Sequence, residues 1–259
     1  MRADVYLNLS GHASSRKKAQ DLIDAGAVKI DGVPIKKSAT PINESVAHTV
    51  EIEQIFKYVS RGGMKLEAAL DAFAVNVNGK KAVDVGASTG GFTDCLLSRG
   101  ARIVYSIDSG VDQLHPDLRA DERVVSIEGF NARELSADVT DGLCQIAVAD
   151  VSFISQTYLI EQIASVLEDD GTFVSLIKPQ FEAGRSALGK NGVVRSGAYR
   201  FLAIKRVISF ACEHGFDCLG LIPSPIEGGD GNREYLAYFV KRPCIKPRID
   251  DKTIKRIAQ

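Results

Sequence analysis

Lys81-Ala82-Val83-Asp84-Val85-Gly86-Ala87-Ser88-Thr89-Gly90-Gly91-Phe92 is the stretch that decides the fold. Its first five residues read as a buried strand, and the glycines after them open a turn into a helix predicted over Gly91–Arg99. In a doubly wound sheet a ligand sits beyond the carboxyl end of such a strand. Gly86, Gly90 and Gly91 let backbone run close to that ligand. The spacing is not G-x-G-x-x-G, and no Lys-Ser/Thr pair follows to make a phosphate loop. An acid, Asp84, stands at the strand end instead. A carboxylate there suits the positive amino group of a methionine moiety better than a pyrophosphate. Asp108 ends the next predicted strand, 24 positions on, and a carboxylate at that distance can accept hydrogen bonds from both hydroxyls of a ribose. Asn131 follows the third strand and is placed to meet an adenine. Together these features favour S-adenosylmethionine over a dinucleotide. The cofactor-binding candidates are Asp84, Gly86, Ala87, Ser88, Thr89, Gly90, Gly91, Phe92, Asp108, Asn131 and Asp150.

Working outward, strand-like and helix-like runs alternate from residue 64 onward. Strands are predicted at Lys81–Val85, Arg102–Asp108, Val124–Glu128, Gln145–Ala149, Thr172–Ile177, Phe216–Ile222 and Tyr235–Lys241, and helices at Met64–Phe73, Gly91–Arg99, Ser155–Val166 and Gly197–Glu213. Such alternation argues for an α/β fold, a mostly parallel sheet with helices on both faces. The last two strands lack a long helix between them, which suits an antiparallel hairpin at the sheet edge. The N-terminal stretch has another rhythm: a short helix from Ala3 to Leu9, then a second that Ser14 or Ser15 can cap and that runs to about Ala25. Ala19, Leu22 and Ile23 share a face of it, and Gly26 fits just past its end. Val28–Ile30, Asp31-Gly32 and Val33–Ile35 read as strand, tight turn and strand, and Thr49–Ile52 can close a small sheet. The expected organisation is a small α+β domain over 1–54, a linker over 55–63, a large domain over 64–243 and a basic, loosely ordered tail over 244–259.

Bulk properties set limits. Of 259 residues, 45% are apolar and 25% charged, as in ordinary globular proteins, and the net charge of -1 means that any nucleic-acid surface must be local. Met1-Arg2-Ala3-Asp4 opens no apolar signal region, and no run of about eighteen apolar residues offers a membrane span. The five cysteines lack C-x-x-C spacing and are expected to be reduced thiols in a cytoplasmic protein. No two of the four histidines have metal-ligand spacing, so no metal is expected, and Ser10, Ser14 and Ser152 lack a G-x-S-x-G elbow.

Four polar residues stand out by position. Lys65 begins a helix after Ser60-Arg61-Gly62-Gly63-Met64. Asp150 ends the strand before Val151-Ser152-Phe153-Ile154-Ser155. Lys178 precedes Pro179-Gln180-Phe181-Glu182, and Glu234 lies between Gly231-Asn232-Arg233 and Tyr235. Those blocks, with Asp84–Asp94, resemble the TlyA family, often labelled hemolysin, whose catalytic domain is similar to FtsJ-like ribose methyltransferases. The likeness covers nearly the whole chain, with Met64 as a mild departure. It implies a Rossmann-like class I methyltransferase sheet and a Lys-Asp-Lys-Glu tetrad at Lys65, Asp150, Lys178 and Glu234. The chemistry fits. A sulfonium methyl is already activated, so transfer needs an in-line nucleophile and little else. A ribose 2′-hydroxyl needs its proton taken, which assigns Lys178 as base and Lys65 as a second cation, with Asp150 and Glu234 orienting them. A second cation lowers a lysine pKa and acidic partners raise it, so the two influences oppose.

The first domain resembles the ribosomal-protein-S-four-type RNA-binding fold, the alpha-L motif, in its helix, Ser-Arg-x-x-Ala helix, glycine, strand, Asp-Gly, strand order. Residues 1–37 hold seven Lys/Arg against four Asp/Glu, a weak basic bias. The RNA-binding candidates are Arg16, Lys17, Lys18, Lys29, Lys36 and Lys37, joined by Arg61, Arg185 and Lys190; Arg195 lies in the same loop, expected to be mobile, as the last two. The implied substrate is ribosomal RNA or a ribosomal subunit, with cytidine ribose as target. Rival readings are a methyltransferase with a non-RNA substrate, a catalytically dead RNA-binding factor and a membrane-active hemolysin.

Overall fold

The computed structural model describes residues 1–259 except Ser14, Ala25, 53–56 and 229–230, and except the side chains of Lys17, Asp21 and Lys190. The chain divides into two compact units, Met1–Lys57 and Tyr58–Gln259.

In the first unit α1 (Ala3–Leu9) and α2 (Arg16–Asp24) precede a small antiparallel sheet. Its strands are β1 (Val28–Ile30), β2 (Val33–Pro34) and β3 (Val50–Ile52), ordered β2-β1-β3. Ser15 Oγ accepts from the Lys18 amide and Gly26 takes φ +74°, so both expected ends of the second helix hold; the alternative cap, Ser14, lies outside the described residues. Leu7, Ala19, Ile23, Val28 and Ile30 form the core. Asp4 is wholly buried beside it. Its carboxylate accepts two bonds from Arg2, at 2.9 and 3.1 Å, one from Arg16 at 3.1 Å and one from Gln20 at 2.7 Å. The Arg2 guanidinium, foremost among these, holds the carboxyl well below the usual range. Asp4→Ala should destabilise this unit by about 2 kcal/mol, the scale of losing hydrogen bonds to a charged group. Faster amide exchange over residues 3–52, with the strands of the second unit unchanged, is the expected reading; protection left intact in the first unit would contradict it.

The second unit follows the alternation of the sequence. It contains α3 (Gly62–Ala72), β4 (Lys81–Val85), α4 (Gly91–Ser98), β5 (Ile103–Ile107), α5 (Pro116–Ala120), β6 (Val124–Ile127), β7 (Cys144–Ala149), α6 (Ile160–Val166), β8 (Leu167–Ile177), α7 (Pro179–Glu182), α8 (Gly197–Glu213), β9 (Phe216–Pro223), β10 (Tyr235–Lys241) and α9 (Asp251–Ile257). The strand order is β6-β5-β4-β7-β8-β10-β9. Neighbours from β6 to β8 are parallel, and β10 runs antiparallel to both β8 and β9, the expected edge hairpin. Leu66, Leu70, Phe92 and Leu96 cover one face of the sheet; Ile160, Ile163, Ile204, Val207 and Ile254 cover the other. The chain winds outward from β4 to β6 and returns at β7, so the topological switch lies between β4 and β7, where ligands bind in such sheets.

Two expectations are corrected. Cys212 and Cys244 form a disulfide, because the last turn of α8 and the segment after β10 bring their Cα atoms to 5.1 Å; a separation of 32 residues carries no sign of that. Cys95, Cys144 and Cys218 are buried and stand outside the disulfide. The tail is ordered rather than loose: Asp250 caps α9, whose Ile254 is buried with Ala258 against the second unit's core. Buried Arg200 donates to the carbonyls of Ala258 and Gln259. Among the residues expected to form a linker, Tyr58 is buried in the second unit and α3 already begins at Gly62; 55–56 lie outside the described residues. No helix among the described residues is long and apolar enough to cross a membrane.

Candidate active site

β4 ends at the switch point, and Gly86 follows with φ +85°. A Cβ there would stand 2.9 Å from the Asp150 carbonyl, so only glycine lets the loops after β4 and β7 meet this closely. At Gly91 a Cβ would come within 2.1 Å of Ser60 Oγ. The glycine-rich turn before α3 thus packs onto the turn before α4.

Asp84 is fully buried within β4. Its Oδ2 accepts the Thr93 hydroxyl at 2.7 Å, while Oδ1 has no hydrogen-bond partner among the described residues. Burial, with smaller contributions from the negative charges of Asp150 and Asp108, pushes its carboxyl up to about 7. Asp108 accepts the Ser88 amide at 2.8 Å and the Gly110 amide at 2.7 Å, and each oxygen keeps a second lone pair. Asn131 uses its side-chain oxygen to accept the Arg133 amide. Beyond the sheet edge lies a cleft of about 560 Å³ lined by Gly86, Ser88, Asp108, Asn131, Asp150 and Phe153, among others. Of the remaining loop candidates, Ala87, Gly90, Gly91 and Phe92 are buried and Thr89 is half-buried; none of the five is among the cleft's lining residues. Thr93 was not singled out in the sequence; its place one turn into α4, facing Asp84, is the signal that would have found it.

The four polar residues form two ion pairs. Lys65 Nζ lies 2.5 Å from Glu234 Oε2, both nearly buried. Lys178 Nζ lies 2.6 Å from Asp150 Oδ1 and donates to Ser152 Oγ at 2.7 Å. Register explains why the pairs share one edge. Ile177 of β8 stands opposite Tyr235 of β10, so Lys178 and Glu234 occupy the next facing positions. Asp150 leaves the neighbouring strand β7, and Gly62, one turn before Lys65, places its missing Cβ 3.8 Å from Asp150 Oδ2. A Cβ at Gly228 would overlap Glu234 Oε1, which explains a glycine there. Ser152 is a partner of Lys178 that position alone did not reveal.

The chain matches the FtsJ-like methyltransferase family over residues 58–241 and the S4 domain over residues 1–46. The first match spans most of the chain. The chain belongs to the FtsJ-like methyltransferase family. It is 42% identical over 238 residues to the 16S/23S rRNA (cytidine-2'-O)-methyltransferase TlyA of Mycobacterium tuberculosis, covering 92% of this chain and 89% of that one. Hemolysin A of Brachyspira hyodysenteriae is 44% identical over 241 residues, 93% of this chain and all of that one. A solved structure from Streptococcus thermophilus, provisionally described as a hemolysin, superposes with a TM-score of 0.81 at 39% identity, covering 100% of this chain and 94% of that one.

In the FtsJ-like methyltransferase unit, Arg61 is half-buried and Arg185 exposed. The loop bearing Arg185 and Arg195, expected to be mobile, is anchored at its far end: Asn232 accepts the Val194 amide and Arg200 donates to the carbonyls of Val194 and Arg195. In the S4 domain Arg16, Lys36 and Lys37 are exposed, while Lys18 and Lys29 are half-buried; the side chains of Lys17 and Lys190 lie outside the described residues.

Proposed function

We propose that this chain transfers a methyl group from S-adenosylmethionine to a ribose 2′-hydroxyl of ribosomal RNA, at a cytidine. The observation that carries the reading is the juxtaposition of the Lys65–Glu234 and Lys178–Asp150 pairs with the acidic cleft at the switch point. The residues fit the cofactor. Asp84 offers a buried, unpartnered carboxylate oxygen to an ammonium group, Asp108 offers free lone pairs to ribose hydroxyls, and Asn131 stands at the far wall for the base. The negative charges of Asp108 and Asp150, which line the cleft, both act on buried Asp84, and the three carboxylates together favour positive charge here. When bound, the cofactor supplies a methyl group already activated by its sulfonium.

The chain's own residues do the rest. In its neutral form Lys178 Nζ takes the hydroxyl proton as the ribose oxygen takes the methyl, and Asp150 holds the ammonium that results. Lys65, fixed by Glu234, contributes a second positive charge that favours developing negative charge on the oxygen. The S4 domain supplies RNA contacts, chiefly to phosphates and shape, through Arg16, Lys17, Lys18, Lys29, Lys36 and Lys37, with Arg61, Arg185 and Lys190 of the other unit. Such a substrate places the protein in the cytoplasm.

Methyl transfer from labelled cofactor to isolated ribosomal subunits, followed by nuclease mapping, is the test. Label on a ribose of ribosomal RNA is expected; label on protein or in small molecules would overturn the reading. The names of two relatives supply a second reading, membrane damage. Leakage from liposomes that Lys178→Ala leaves unchanged, with no labelled RNA, would favour it.

A further inference from the structure

Glu182 has no part in the chemistry above, yet it is almost wholly buried. It closes the single turn of α7, four residues after Lys178, and folds back across the sheet edge. Its Oε2 accepts the Ser155 hydroxyl at 2.5 Å and its Oε1 accepts the Gln156 amide at 2.7 Å. Both acceptors are therefore committed to one short piece of the loop after β7. Gln156 is buried too, and reaches the other way. Its Nε2 donates to the Leu176 carbonyl at 2.6 Å, and its Oε1 accepts the Ser175 hydroxyl. Residues 155 and 156 are thus clamped to the chain on both sides of Lys178, before it at 175–176 and after it at 182.

The clamp brackets the reacting edge. Between it and the end of β7 lie only Asp150 to Ile154, which carry both partners of the Lys178 amine, Asp150 and Ser152. A loop of five residues tethered this closely has little freedom to change the position of either partner. Phe153 rests against Phe181, at 5.3 Å between ring centroids, which adds an apolar contact between the same two segments.

The charge of Glu182 is costly where it sits. Among the described residues it has no ion pair; Arg206 bonds its backbone carbonyl, at 3.2 Å, and its charge only partly offsets the burial of the carboxylate. Burial raises the Glu182 carboxyl above its ordinary range. A buried acid bonded to neutral donors is poor at stabilising a fold, and fixing one geometry among several is the better-attested use of such groups.

We infer that Glu182 is a positioning residue for methyl transfer: by clamping Ser155 and Gln156 it holds Asp150 and Ser152 at bonding distance from the Lys178 amine. The inference rests on the functional reading above for its kinetic arm only. Shape, not charge, is what the clamp requires. A glutamine can keep it, its oxygen accepting the Gln156 amide and its amide group donating to Ser155, whose hydroxyl then bonds Thr157, 2.8 Å away.

Full-length wild type, Glu182→Ala and Glu182→Gln are compared in three measurements: turnover on ribosomal subunits, cofactor affinity, and ¹⁵N NMR of the lysine side-chain amines. Glu182→Ala should lower kcat by about 10²-fold, the scale of an ångström of misplacement, with KM for RNA and cofactor Kd within about threefold. Its Lys178 amine signal should move. Glu182→Gln should restore kcat to within about fivefold of wild type and return the signal. Unchanged kcat and an unmoved signal in Glu182→Ala would overturn the inference. So would kcat, cofactor affinity and melting temperature falling together, which mark a merely structural role, or failure of Glu182→Gln to rescue. If wild type labels no ribosomal RNA but the Lys178 signal moves and is rescued, the substrate reading falls and the clamp stands.

Discussion

Lys178→Ala should lower kcat for methyl transfer to ribosomal subunits by about 10³-fold, within the span measured for removal of a general base. The prediction follows from what surrounds the amine. Its Nζ lies between Asp150 and Ser152 at the carboxyl edge, and its register neighbour is Glu234, which already pairs with Lys65. Lys65 is held by Glu234, and Asp150, left without its lysine, is a far weaker base than an amine. Cofactor affinity should change by no more than about threefold, because Asp84 and Asp108 carry the cofactor contacts in this reading. Lys178→Arg separates the two roles that a lysine can play here. Arginine keeps the positive charge beside Asp150 but cannot give up a proton near neutral pH. If Lys178 acts as base, the arginine variant should be as impaired as the alanine variant. Substantial turnover by Lys178→Arg would show that the amine acts by charge alone and would remove the base from the mechanism.

How much of this was legible in the sequence depends on the distance over which each feature is encoded. β4, its glycine turn and α4 are contiguous, and their pattern alone fixes a strand, a turn and a helix; the structure has all three at Lys81–Val85, Gly86–Gly90 and Gly91–Ser98. The small sheet of the first unit was equally readable, since Asp31-Gly32 joins adjacent strands. The four tetrad positions were picked out by their places at strand and helix ends. Their pairing was not, because Lys178 meets Asp150 through the parallel β7–β8 contact and Lys65 of α3 meets Glu234 beside β10, tertiary relations that no local pattern sets. Ser152, Thr93 and Glu182 are ordinary polar residues until the fold brings Lys178, Asp84 and Gln156 to them. The Cys212–Cys244 disulfide and the docking of α9 were missed for the same reason, as both depend on tertiary contacts with α8. Composition misled on the tail: its many charges suggested a loose end, whereas the spacing of Ile254 and Ala258, one turn apart, gives a buried stripe.

Asp84→Asn should weaken cofactor binding by about 10²-fold at pH 8 and abolish its pH dependence. The side chain is enclosed in β4, with Thr93 on one oxygen and, among the described residues, no partner on the other. A charge-assisted bond to an ammonium group is worth about 1.5–3 kcal/mol, and most of that is lost when the acceptor becomes a neutral amide. The same burial that exposes no water to Asp84 raises its carboxyl to about 7 from an ordinary 3.8. Between those values the folded protein holds a proton that the unfolded chain has released. Stability of the cofactor-free protein should therefore fall as pH rises from about 4 to about 7, then level off. Cofactor affinity should run the opposite way, tightening as pH rises through about 7 and the carboxylate forms. Asparagine has no proton to lose, so the variant should show neither trend from this site. Isothermal titration with S-adenosylmethionine at pH 6, 7 and 8, alongside denaturant melts of the cofactor-free protein, measures both. Opposed slopes in wild type and flat ones in the variant would identify Asp84 as a group that spends folding stability to be ready for a cation. If the variant binds as tightly as wild type, the unpartnered oxygen has another purpose and the ammonium contact must be assigned elsewhere.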